Sequence, residues 1–104
     1  MMSFTAIEKV VYSENPVQIS YDAFNEIQDH AKRLQLHTLL KIKNYYGIEG
    51  TVTFYSDELV TIRNELNLLL KGSLSEPAEL TVKNMITFLQ QAIKDNKKVI
   101  TLSD

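Results

Sequence analysis

The sequence predicts one α+β domain over residues 1–104. It is a two-layer sandwich in the order β-α-β-β-α-α-β, with three helices mainly on one face of a small mixed or antiparallel sheet. Three observations lead there. Two helix-period runs, to Lys71 and to Asn96, are separated by a break that reads Gly72-Ser73-Leu74-Ser75-Glu76-Pro77. An alternating stretch surrounds Gly47-Ile48-Glu49-Gly50. The chain then closes on the β-branched run Val99-Ile100-Thr101-Leu102.

Between Phe4 and Ser13 two patterns compete. Phe4, Ile7 and Val11 fit a helical period, whereas Lys9-Val10-Val11-Tyr12 favours a strand, placed here at Lys9 to Ser13. Glu14-Asn15-Pro16 ends it. Ser20 opens the first helix, with Ile19 and Phe24 at the N′ and N4 positions of a hydrophobic staple. Ala23, Phe24, Ile27, Ala31 and Leu34 form its apolar stripe.

A β-hairpin comes next. Leu40, Ile42 and Tyr46 alternate with Lys41, Lys43 and Tyr45, and Thr51 to Tyr55 returns with Val52 and Phe54 inward. Ser56 is placed to cap the second helix, with Asp57 and Glu58 where the dipole favours negative charge, and Tyr55 and Val60 offer a second staple. Leu59, Ile62, Leu66, Leu69 and Leu70 share that helix's core face, and Gly72 suits a left-handed exit. Ser75 caps the third helix, with Glu76 and Pro77 in its first turn. Its core face carries Val82, Met85, Ile86, Leu89 and Ile93.

Composition excludes several classes of chemistry. With 104 residues, a chain buries about 65% of its unfolded surface, enough for a core without staples. There is no cysteine, so disulfides, thiolate metal sites and a cysteine nucleophile are ruled out. The start, Met1-Met2-Ser3-Phe4, lacks the pattern of a signal peptide, and no apolar run approaches a membrane span. A cytoplasmic location is therefore expected. Net charge is -2, which gives no steer toward nucleic acid or anionic lipid. None of Ser13, Ser20, Ser56, Ser73 and Ser75 sits in a G-x-S-x-G turn, and Gly47, Gly50 and Gly72 cannot make a phosphate loop. No cofactor is implied, and no motif diagnostic of a family is present.

What remains is surplus apolar surface. Leu68 projects opposite the core face of its helix, and Leu80 and Phe88 point away from theirs. Together they suggest an interface patch, although single surface leucines are ordinary. The leading reading is a non-enzymatic interaction or regulatory protein acting through the helical hairpin, either as a homodimer or on another protein. The alternative is a small-molecule binding protein, or an enzyme of unfamiliar type. Its polar groups would be His30, His37, Tyr45, Tyr46 and Tyr55. Asp29 and His30 are helix neighbours about 100° apart and make no dyad, while Glu26 and His30 are spaced as a surface pair. A third reading is weak single-stranded nucleic-acid binding. Lys32, Arg33, Lys41 and Lys43 occur with no acid between Asp29 and Glu49, and Tyr45 and Tyr55 offer stacking rings. The pair Lys97-Lys98 comes after a helix end, where cations suit the dipole.

Overall fold

In the computed structural model, residues 2–8, 11–12, 17–42 and 52–103 are described, with backbone alone for 2–8, 11–12 and 102–103. The strands are β1 (Met2–Glu8), β2 (Val11–Tyr12), β3 (Val17–Ile19), β4 (Val52–Phe54) and β5 (Lys98–Ser103). The helices are α1 (Tyr21–Leu34), α2 (Ser56–Leu70) and α3 (Glu76–Lys94), with a 3-10 turn at Leu39–Lys41. The fold is α+β, and every strand pairing described is antiparallel.

β5 is central. One edge pairs with β1 from Met2↔Ser103 to Ile7↔Lys98, and the other pairs with β4 from Val52↔Thr101 to Phe54↔Val99. The far edge of β1 takes β3 at Met2 to Phe4 and β2 at Ile7 and Glu8. The strand expected at Lys9 to Ser13 is met at β2, and a longer strand that the local pattern does not place, β1, precedes it. Phe4 and Ile7 lie in β1, and only Val11–Tyr12 of the expected 9–13 strand is described. Pairing with β5 overrides the local periodicity, as tertiary context does.

The start of the hairpin expected between residues 40 and 55 is also corrected, while its return strand is present as β4. Leu39–Lys41 makes a 3-10 turn, and β4 pairs with β5. Residues 43–51, with Tyr45 and Tyr46, lie outside the described residues. The turn has a physical cause: both backbone groups of Leu39 are taken by side chains. Its N–H donates to Glu65 Oε1 at 2.7 Å, and its carbonyl accepts from Gln28 Nε2 at 3.3 Å. A ladder partner for Leu39 is therefore not needed.

The helices keep most of their expected punctuation. Ser20 Oγ accepts the Ala23 N–H at 3.3 Å, and Ser75 Oγ accepts the Ala78 N–H at 3.4 Å. Helix α2 starts one residue earlier than expected, with Tyr55 at the cap position and Ser56 inside the helix. The staple positions shift with it, from the exposed pair Tyr55 and Val60 to Phe54 and Leu59, both fully buried. Gly72 does not take the left-handed exit. The left-handed residues are Gln35 and Asn96, each at φ 57, closing α1 and α3. There Leu36 N–H reaches the Ala31 carbonyl and Lys97 N–H reaches that of Ala92, the long bond of a Schellman exit.

The core lies between the helices and the sheet. Helix α3 packs against α2 and α1 and reaches β3 and β5. Leu59, Ile62, Leu66, Val82, Leu89, Phe54 and Val99 are fully buried, and each large aliphatic or aromatic side chain of this kind contributes roughly 1.5–3 kcal/mol. Leu34, expected on the α1 stripe, is 52% exposed at the helix end.

Candidate interaction surface

The two helices of the α2–α3 hairpin bring Leu68 and Leu80 to the same end. Leu68 lies in the last turn of α2 and Leu80 near the start of α3, either side of residues 71–75. They are 46% and 61% exposed. Phe88 differs: it is half-buried and packs on the core. It also lines a cleft of about 510 Å³ with Val17, Gln18, Asn84 and Thr87. Leu80 instead sits in a shallow depression with Glu76, Glu79 and Lys83, where Lys83 and Glu79 form a 2.9 Å ion pair. Of the three residues expected to form a patch, Leu68 and Leu80 are exposed at the turn end, Leu80 beside Glu76, Glu79 and Lys83, and Phe88 lies elsewhere on α3 against the core.

The turn end is fixed by a contact that sequence reading misses. Glu26 of α1 reaches the cap residue of α3. Its Oε2 accepts the Ser75 N–H and its Oε1 accepts the Ser75 hydroxyl, both at 2.7 Å. These two bonds hold the Glu26 carboxyl below its ordinary 4.5, the backbone N–H contributing most and the hydroxyl next. Burial opposes them, and His30 adds a small lowering. Glu26 of α1 thus lies at the start of α3, whose first turn carries Glu76 and Glu79.

The expected polar-pocket residues are not brought together. His30 is half-buried on α1 and His37 is exposed beyond it, and neither lines any of the three clefts described. Tyr55 lines a third cleft, with Ser56, Asn96, Lys97 and Lys98. Tyr45 lies outside the described residues. Lys41, expected to face nucleic acid, pairs with Glu58 at 3.0 Å. That pairing, with the Tyr55 N–H to Glu58 Oε1 at 3.4 Å, holds the Glu58 carboxyl below its ordinary value, Lys41 first. Among the described residues no group of three or more His, Asp or Glu is placed to hold a metal ion.

Glu65 also escapes the sequence reading. It is buried on the core face of α2, beside Leu66 and within a turn of Ile62 and Leu69, and it holds the Leu39 N–H. A readable signal exists, since a lone carboxylate on an apolar stripe must find a donor. The Glu26–Ser75 contact has none, because 49 residues separate the partners.

Comparison with known proteins gives one fold likeness. No family model matches the chain, and no curated protein does. Among solved structures the chain is similar to the Neisseria DNA mimic protein DMP12, with a TM-score of 0.64 and 18% identity over 97% of each chain. At that identity the likeness establishes the fold. No helix among the described residues is long and apolar enough to cross a membrane.

Proposed function

We propose that this chain is a small non-enzymatic interaction protein that binds another protein through the turn end of its helical hairpin. The observation that carries this reading is the end-to-end fold likeness to a protein described as a DNA mimic. The exposed Leu68 and Leu80 support it, as an apolar contact with a polar rim.

A second reading is DNA mimicry, favoured by Glu26 at the cap of α3 and Glu76 and Glu79 in its first turn. Charge weighs against its full form. A duplex as long as the 37 Å longest axis of the molecule carries roughly 20 charges, against a net -2 here. Any imitation of phosphates is confined to that one end.

The test is capture on the immobilised chain from source-cell lysate, with elution by duplex DNA. The expected result is a protein partner lost in the Leu68→Asp/Leu80→Asp variant and retained in Glu76→Gln/Glu79→Gln. Elution by duplex DNA, with loss in the glutamine variant instead, selects mimicry. A chain that captures no protein and carries a defined small-molecule adduct in native mass spectrometry overturns both. Phe88→Glu is unsuitable as a probe, because it places a charge against the core.

A further inference from the structure

We propose that the cleft between the start of α2 and the end of α3 binds a small phosphate-bearing anion. It lies at the opposite end of the hairpin from Leu68 and Leu80. Along α2 (Ser56–Leu70), the rise of about 1.5 Å per residue puts roughly 18 Å between Ser56 and Leu68. The inference therefore stands apart from the partner-binding reading.

Sheet register builds the cleft. Phe54 of β4 pairs with Val99 of β5. The residue after β4's end, Tyr55, thus comes beside the first residue of β5, Lys98. The Lys98 ammonium lies 5.3 Å from the centre of the Tyr55 ring, within cation–π range. Asn96, in its left-handed conformation, turns the chain out of α3 so that Lys97 and Lys98 come at once. The lining is Tyr55, Ser56, Asn96, Lys97 and Lys98, with no acid among them. Among the described residues neither lysine has a carboxylate partner, whereas Lys41 and Lys83 are both paired. Three carboxylates oppose an anion nearby, and the first, Asp95, precedes Asn96 and accepts the Gln91 amide at 2.9 Å. Asp57 comes after Ser56 in the first turn of α2. Glu58 is already committed to Lys41 and the Tyr55 N–H.

Size and donors set the ligand class. The cleft holds about 210 Å³, space for roughly seven waters, which admits a phosphate with a few attached atoms and not a nucleoside beside it. Its donors are two ammonium groups, the Ser56 hydroxyl and the Asn96 amide. That number suits the three terminal oxygens of a phosphate monoester better than the two of a carboxylate. The ring contact already orients Lys98, so less side-chain freedom is lost on binding.

The experiment is an amide NMR titration of the full chain at neutral pH. Inorganic phosphate and glycerol 3-phosphate are added separately, against sodium chloride at matched ionic strength. Saturable shifts confined to Ser56, Asn96, Lys97 and Lys98 are expected with at least one of the two. The source of the phosphate, free or ester, is given by the one that binds more tightly. Lys97→Gln/Lys98→Gln is expected to weaken binding about tenfold, and Lys97→Arg/Lys98→Arg to retain it. Equal shifts with chloride, shifts spread over all lysines, or unchanged affinity in the glutamine variant overturn the proposal.

Discussion

Two helix starts in this protein are each closed by a glutamate, and they differ in where the glutamate comes from. At α2, Glu58 reaches back three residues to the Tyr55 N–H at 3.4 Å and also meets Lys41. At α3, Glu26 arrives from another helix and makes two 2.7 Å bonds to Ser75. The local device stabilises one helix end. The distant one fastens α1 to the hairpin, so its loss is felt between elements and not only within one. A third glutamate extends the series inward, because Glu65 offers its oxygen to Leu39 from the buried face of α2.

The largest effect is expected at Glu65. Glu65→Ala leaves the Leu39 N–H without its partner in the core, which costs about 2–3 kcal/mol. Glu65→Gln keeps an acceptor and should cost less than half of that in urea denaturation. Equal losses would mean that the charge, not the hydrogen bond, matters there.

Glu26→Gln ranks next and carries a pH signature. The fold favours the ionised form of Glu26, so its contribution is complete above the ordinary 4.5 and fades as pH falls through the lower folded value. The melting difference between wild type and variant should therefore be present at about pH 6 and shrink toward about pH 3. The Ser75 amide should also exchange faster with solvent in the variant. A difference that stays constant with pH would remove the long-range cap from the comparison.

Glu58→Gln is milder, about 0.5 kcal/mol, because its ion pair with Lys41 is largely exposed. Denaturation at low and high salt should show the loss shrinking as salt rises. The smallest effect lies at a helix exit. A Cβ at Gly72 would meet the Leu69 carbonyl oxygen at 3.4 Å, an ordinary contact, and the backbone there is not left-handed. Gly72→Ala is thus expected to raise stability by about 0.4 kcal/mol.

Legibility divides along the same line between local and distant causes. The caps at Ser20 and Ser75, the core faces of α2 and α3 and the final strand are visible in the sequence because their causes lie within a few residues. Strand β1 is not visible in the local pattern, where Phe4 and Ile7 fit a helical period, because its partner, β5, lies about 95 residues further along the chain. The turn at Leu39 carries the alternation of a strand, yet its cause is two side chains, Gln28 and Glu65, on different helices. Gly72 has the residue type for a left-handed exit, while Gln35 and Asn96 take that conformation because the chain must reverse sharply as it leaves α1 and α3. At the candidate sites, Leu68, Leu80, Tyr55 and Lys97-Lys98 each stand out singly. The grouping of Tyr55 with Lys97-Lys98 depends on the register between β4 and β5, which no local pattern encodes.

The central position of β5 bears on how the chain is made. A ribosome releases β1, the three helices and β4 before it reaches residues 98–103. Until then β1 and β4 each lack the neighbour that will join them, and both present open edges to other chains. The sheet therefore closes only once residues 98–103 are present, and a chain without them leaves β1 and β4 unjoined and the helical core without Val99.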